Sequence, residues 1–247
     1  MTSGPILAAA PLRVHDRLRG ACDGPRRVVH ASGTAVYVDL DGWCLGLVSA
    51  AATRVPCALW TTIPDLGVLD PVVRVRDGEL VVGDRPVRVT RLVDPRALHV
   101  GRHEESRSAP AIPMTSGLDL PTDGGLTPAD LDRLLGRGPG LTPLGDDVLA
   151  GWLTARAALG RPDDLLAAAV RRRLGVTTLL SATLLDCAAR GEALPQLADW
   201  LADPTDATAD ALLAVGATSG AGLMAGAGMA LTHHTTDRPH RTPRRAA

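Results

Sequence analysis

The length, composition and charge of the chain exclude several classes of function. Its 247 residues are 45% apolar and 21% charged, which is enough for a core in one large domain or two small ones. A net charge of −1 and an aromatic content of 2% argue against nucleic acid as a partner. All 26 basic residues are Arg, so a Walker-type phosphate loop and Schiff-base chemistry, which need Lys, are excluded.

The cysteines and the chain's apolar stretches indicate a cytoplasmic location. The 4 cysteines lie far apart without a CxxC pair, as is typical of reduced, buried thiols. The N-terminal apolar run lacks a basic region and is too short for a signal peptide. Residues 212–231 carry no charge, but their glycines and hydroxyls favour a buried helix over a membrane span. We therefore expect a soluble, cytoplasmic protein without a membrane partner.

The first domain, residues 1–102, is predicted to form a small, mostly antiparallel sheet. Short apolar or alternating runs alternate with turn residues, and several prolines keep each strand short. Asp41-Gly42 and Asp77-Gly78 are typical of tight hairpin turns. The predicted strands are residues 26–30, 34–40, 43–49, 72–76, 79–83 and 87–92.

Residues 103–125 are polar and rich in proline without periodicity, which predicts a linker or long loop. From residue 126 to residue 232 the apolar residues recur with helical spacing, so the chain is predicted to be an α+β protein with a C-terminal α-helical domain. The predicted helices are residues 127–135, 147–159, 163–174, 177–190, 192–201, 206–213 and 222–231. Residues 233–247 are polar and basic and are predicted to be a disordered tail.

Residues 136–147, here called the loop segment, carry the densest signal for chemistry. Four glycines in a loop that leads into a helix can direct several backbone N–H groups at one anion. Asp146 and Asp147 would repel that anion unless a divalent cation lay between them, so they are candidate Mg²⁺ ligands. The structural alternative is equally open: Asp146 caps the helix, Asp147 favours its dipole, and the glycines form a tight corner. With the first interpretation, Arg137 is the charged clamp and Asp147 points toward the site. The alternative for Arg137 is a surface ion pair with Asp132 or Asp146.

Two further segments carry small and hydroxyl side chains. In residues 215–226, here called the glycine segment, small residues recur every four positions and favour close packing against another helix. Thr218 and Ser219 precede Gly220 at a helix start, where they either cap the helix or offer donors to a ligand. In residues 177–181, here called the hydroxyl segment, Thr177 and Ser181 share one helix face. We predict that the three segments converge on one pocket that binds a small anion.

The same three segments resemble the AllH-like family. The resemblance lies in GPGLTPLGDDVLAG (residues 138–151), TTLLSATLLDCAARGE (residues 177–192) and VGATSGAGLMAG (residues 215–226), with order and spacing intact. Two positions depart from the family pattern: Gly222 stands where the family often has Asp, and Ala217 where it often has His. The β-rich first domain carries no motif of the family.

The resemblance implies a subunit of oxamate carbamoyltransferase, which converts oxalurate and phosphate to oxamate and carbamoyl phosphate in purine and allantoin breakdown. It implies partner protein subunits and a small anionic substrate such as carbamoyl phosphate or oxamate. The alternative is a non-catalytic scaffold or ligand-sensing subunit with a degenerate pocket. No catalytic residue can be assigned, since the sequence shows no nucleophile–base pair. The predicted substrate-binding residues are Arg137, Gly138, Gly140, Thr142, Gly145, Asp146, Asp147, Thr177, Thr178, Ser181, Thr218, Ser219 and Gly220.

Overall fold

A curled sheet occupies the N-terminal part of the chain. The computed structural model describes residues 4–69, 72–98, 118–121 and 125–236. Within these residues the nine strands are ordered β2-β7-β8-β9-β1-β6-β5-β4-β3, and only the pairs β1/β9 and β5/β6 are parallel. The strands are β1 (Ile6–Pro11), β2 (Gly24–Pro25), β3 (Val28–Ala31), β4 (Ala35–Leu40), β5 (Trp43–Val48), β6 (Ala58–Thr61), β7 (Val73–Arg76), β8 (Glu79–Val82) and β9 (Arg85–Val93). The predicted mostly antiparallel sheet is confirmed.

Both predicted hairpin turns are present, between β4 and β5 and between β7 and β8. Asp41 and Gly42 have φ values of 54° and 82°, and Asp77 and Gly78 have values of 54° and 73°. Two successive positive φ angles define the type I′ turn, whose twist matches that of the strands it joins. The register of these two hairpins is therefore set by the Asp-Gly pairs.

Four of the strands and α-helices were not predicted from the sequence: the strands β1, β2 and β6, and the helix α1 (Leu12–Gly20). β1 consists largely of alanines, which are depleted in strands, and it depends on pairing with the remote β9. α1 begins after Pro11 with no side-chain cap and buries only Val14 and Leu18. It packs on the sheet, so tertiary contact rather than local sequence determines this short helix.

The C-terminal part is helical, as predicted. Its helices are α2 (Leu131–Leu134), α3 (Leu144–Ala158), α4 (Asp164–Arg171), α5 (Leu179–Ala188), α6 (Pro195–Ala202), α7 (Asp206–Leu213) and α8 (Ser219–Thr236). Both α3 and α8 begin three residues before the predicted start, and α8 continues past residue 232, where the tail was predicted to begin. Residues 237–247 and most of the predicted linker lie outside the described residues. Of that linker, Leu118 and Leu120 pack against the helical core.

The helices α3 and α8 cross at very close range. A Cβ atom on Gly151 would lie 2.1 Å from the carbonyl oxygen of Leu223, and one on Gly226 would lie 1.9 Å from that of Val148. Only glycine permits such an approach of two helix backbones. The predicted close packing of the glycine segment is therefore present, and α3 is its partner.

The sheet and the helices share contacts through α5. Leu180 and Cys187 of α5 belong to the hydrophobic core of the sheet, whereas Leu185 belongs to that of the helices. The hydroxyl of Thr183 accepts a hydrogen bond from the backbone N–H of Cys44 in β5, with an N···O distance of 2.8 Å. Arg13 of α1 lies 2.5 Å from Asp186, at the end of α5. Among the described residues, no helix combines the length and apolar character needed to cross a membrane.

Candidate functional site

The carboxylate of Asp146 joins the loop segment to the hydroxyl segment. One of its oxygens accepts a hydrogen bond from the backbone N–H of Gly136 at 2.7 Å. The other accepts from the hydroxyl of Ser181 at 2.6 Å and also from the hydroxyl of Thr177. Asp146 is 1% exposed, so these donors replace the water that its carboxylate would otherwise bind.

This arrangement corrects the predicted role of Asp146 as a cap of the following helix. α3 begins at Leu144, after Pro143, so Asp146 lies within the first helical turn rather than before it. Its side chain turns away from the N–H groups of its own helix and contacts the loop before α3 and the start of α5. Asp146 therefore fixes the positions of two neighbouring elements.

Asp147 is the buried carboxyl group whose hydrogen bonding is incomplete. The residue is 6% exposed, and one of its carboxyl oxygens has no hydrogen-bond partner among the described residues. Burial raises the pKa of this group from 3.8 to about 8; a hydrogen bond with Ser219 opposes the rise, and the neighbouring Asp146 adds to it. At neutral pH the Asp147 carboxyl group is thus largely protonated and can donate a hydrogen bond.

Hydroxyl groups join the loop segment to each of the other two segments. The hydroxyls of Thr142 and Ser219 are 2.9 Å apart, which joins the loop segment to the start of α8. The hydroxyl of Thr178 accepts from the N–H of Ser181 at 3.1 Å and donates to the carbonyl oxygen of Leu141. The three segments predicted to converge are therefore in direct contact around the start of α3.

The glycines of these segments mostly contact backbone rather than open space. A Cβ on Gly145 would lie 1.9 Å from the carbonyl oxygen of Leu134, and one on Gly220 would lie 1.9 Å from that of Leu212. Gly138 and Gly140 are exposed and have positive φ angles, as expected in a tight loop. Thr218 is also exposed. Close packing and the loop's turns therefore account for these four glycines.

Arg137 lies in a surface cavity of about 510 Å³, which Gly136, Asp132 and Arg173 also line. Its guanidinium donates to the backbone carbonyl oxygen of Asp132 at 3.3 Å and is exposed. Asp147 and Ser219 do not line this cavity. Gly136 connects this cavity to the contacts around Asp146, since it lines the cavity and donates its N–H to the Asp146 carboxylate.

Arg173 is not among the predicted substrate-binding residues, although the sequence leaves two interpretations of its triplet: an anion site, or the favoured solvated helix end. Arg173 is the last member of the triplet Arg171–Arg173, whose side chains are typical of a solvated helix end. Arg171 and Arg172 are exposed, but Arg173 turns toward Asp132 and the cavity. Three consecutive residues cover most of a helical turn, so their side chains point to different faces of the helix. This spread is the one signal in the sequence that Arg173 could face a cavity while Arg171 and Arg172 face solvent.

The acidic pair does not form a cation site with other acidic, Cys or His side chains. Among the described residues, no group of three or more such side chains is placed to hold a metal ion. Both oxygens of Asp146 accept hydrogen bonds from protein donors. This geometry favours a positioning role of Asp146 over coordination of Mg²⁺.

Comparison with known proteins identifies a family that matches the helical part of the chain. Residues 134–231 match the model of the family described as oxamate carbamoyltransferase subunit AllH, and this range contains all three segments entirely. No curated protein sequence and no solved structure matches the chain significantly. The sheet lies outside the matched range. The resemblance of the chain's helical part to the AllH family, predicted from the three segments, is thereby confirmed.

Proposed function

We propose that the chain is a subunit of an oxamate carbamoyltransferase and binds its small anionic substrate where the three segments meet. In this reaction a phosphate oxygen attacks the ureido carbonyl carbon of oxalurate, and the bond from that carbon to the oxamate nitrogen breaks. The nitrogen takes up a proton, which leaves oxamate and carbamoyl phosphate. The observation that carries the proposal is the buried, incompletely bonded Asp147 beside Ser219, within the residues that match the family.

The protonation of Asp147 removes the repulsion that two carboxylates would exert on an anion. A protonated carboxyl group and the hydroxyls of Thr142 and Ser219 are all hydrogen-bond donors. Donors held in place before the reaction stabilise the negative charge that develops on the attacked carbonyl oxygen. Asp146 contributes indirectly, because it positions the loop and α5. Thr177, Thr178 and Ser181 also act indirectly, because their hydroxyls position the loop relative to α5.

A second candidate is a scaffold or ligand-sensing subunit whose own pocket no longer supports catalysis. A Cβ on Gly222 would lie 2.8 Å from the Cβ of Asp147 and 3.1 Å from the carbonyl oxygen of Leu144. The Asp that the AllH-like family often has at this position therefore has no room here. The site lacks that carboxylate, and partner subunits would have to supply the missing chemistry.

Calorimetric titration with carbamoyl phosphate and with oxamate separates the two candidates. We expect the isolated full-length chain to bind at least one of them, and Ser219→Ala and Asp147→Ala to weaken binding by about tenfold each. Thr34→Ala, which removes an exposed hydroxyl of the sheet region, is the matched control and should bind like the parent. Binding that requires the partner subunits would favour the second candidate. No binding under either condition would contradict both.

A further inference from the structure

The cavity beside Arg137 has the size and the donors of a binding site. Its volume of about 510 Å³ lies within the usual range of small-ligand pockets, roughly 300–1,000 Å³. Arg137 enters it from the loop segment and Arg173 from the end of the α4 region. Apolar walls come from Leu131, Leu135 and Val176. Two guanidinium groups thus face one cavity from separate elements.

The acidic side chain in this cavity holds only one of the two guanidiniums. Arg173 lies 2.5 Å from the carboxylate of Asp132, whose side chain is 78% exposed. An ion pair so accessible to water contributes little and exchanges readily. Among the described residues, the guanidinium of Arg137 instead donates to the backbone carbonyl oxygen of Asp132, at 3.3 Å. A cavity with two guanidiniums and one exposed carboxylate carries a surplus positive charge.

The cavity is connected to the site around Asp146 through its own wall. The N–H of Gly136, which lines the cavity, donates to one oxygen of Asp146. Thr177, which follows the cavity residue Val176, donates to the other. An anion in the cavity would therefore be held next to the loop and hydroxyl segments.

We propose that this cavity is an oxyanion subsite, in which Arg137 and Arg173 together bind a phosphate or carboxylate group and displace Asp132. Guanidinium groups bind such oxyanions through paired, charge-assisted hydrogen bonds. The inference rests on the proposed function and adds to it the place where the anionic end of the substrate is held. Arg173 is a specificity-determining residue, and Asp132 competes with the ligand.

Titration of the full-length chain with inorganic phosphate, at constant ionic strength, tests the subsite. Arg173→Ala should weaken phosphate binding by about ten- to a hundredfold, the range for a hydrogen bond to a charged group. Arg172→Ala is the matched control: it removes the neighbouring, exposed arginine that does not line the cavity, and should bind like the parent. Asp132→Asn should strengthen binding by about two- to fivefold, because it removes a weak competitor.

A parallel titration with oxamate distinguishes a carboxylate ligand from a phosphate ligand. Equal losses in Arg173→Ala and Arg172→Ala, or weaker binding in Asp132→Asn, would overturn the inference, as would a parent chain that binds neither anion. Ser219→Ala separates the inference from the proposed function, since Ser219 does not line the cavity. Should Ser219→Ala weaken oxamate binding while Arg173→Ala leaves both ligands unaffected, the proposed function stands and the subsite does not.

Discussion

The sheet and the helices of this chain differ in the polar groups that they bury and in how closely their backbones approach. Among the described residues, the strands bury the hydroxyl of Thr61 and the polar atoms of Tyr37 and Trp43 but no carboxyl group, while Ser49 follows β5 directly. All three buried carboxyl groups of the described residues, those of Asp130, Asp146 and Asp147, lie in the helical part. The glycines with the closest backbone neighbours, which include Gly151 and Gly226 of the helix crossing, lie there as well.

The difference shows where the sequence is most constrained. An apolar core tolerates exchange among apolar side chains of similar volume. A buried carboxylate with specific donors, or a helix crossing that admits only glycine, does not tolerate exchange. The family match covers residues 134–231 and includes both kinds of feature. If the comparison is right, substitutions in the helical part should be far more damaging than their size suggests.

The largest effect is expected for Gly226→Ala. The added Cβ would lie 1.9 Å from the carbonyl oxygen of Val148 and 2.9 Å from the backbone nitrogen of Trp152, so α3 and α8 must separate. We expect a loss of about 3 kcal/mol or more in the free energy of unfolding. Denaturant titration monitored by circular dichroism measures it.

Gly175→Ala is the control for Gly226→Ala, because a Cβ at Gly175 meets nothing within 4 Å and its φ angle is not positive. This substitution should stabilise the chain by about 0.4–1 kcal/mol, since it restricts the unfolded state. Equal destabilisation by the two variants would contradict the close helix crossing.

The next effect concerns Asp147 and depends on pH. The pKa of Asp147 is about 8 in the folded chain against an ordinary value of 3.8, so between these values the folded state holds a proton that the unfolded state has lost. Stability therefore falls as pH rises through this range. The Asn side chain of Asp147→Asn cannot ionise. The free energy of unfolding of this variant should therefore rise relative to that of the parent as the pH rises, by at most about 1.4 kcal/mol per pH unit.

The measurement is denaturant unfolding of parent and Asp147→Asn at several pH values from 4 to 8. A difference between the two proteins that stays constant over this interval would mean that the Asp147 carboxyl group is ionised in the folded chain. The donor role proposed for it would then be wrong.

The smallest effect tests the contact between the two parts. Thr183→Val keeps the shape of the side chain but leaves the buried N–H of Cys44 without its acceptor. An unsatisfied buried donor costs about 1–3 kcal/mol. Thr183→Ser, which keeps the hydroxyl, should lose clearly less. The measurement is the free energy of unfolding of both variants. Equal stability of the Val and Ser variants would show that the hydrogen bond contributes nothing.

The sequence predicted those features that depend on neighbouring residues. Asp41-Gly42 and Asp77-Gly78 define their turns locally, and the helical spacing after residue 126 identifies most helices. β1 was missed because its pairing with β9 is remote in sequence. The role of Asp146 was mistaken because its donors, Gly136 and Ser181, come from elements on either side of its own helix. Arg173 was assigned to a solvated helix end rather than an anion site because the sequence of a helix end is the same whether it faces solvent or a cavity.

The crossing of α3 and α8 also has a consequence for the synthesis of the chain. Four helices, α4 to α7, separate the two partners along the chain. On the ribosome, α3 emerges long before α8 is synthesised, and the surface of α3 that packs against α8 stays uncovered until then. Contacts between remote segments form slowly, and exposed apolar surface in the interval favours aggregation. The sheet is synthesised first, and α5, which packs against it, is synthesised before α8. The N-terminal part of a nascent chain can therefore complete its packing while the helical part is still incomplete.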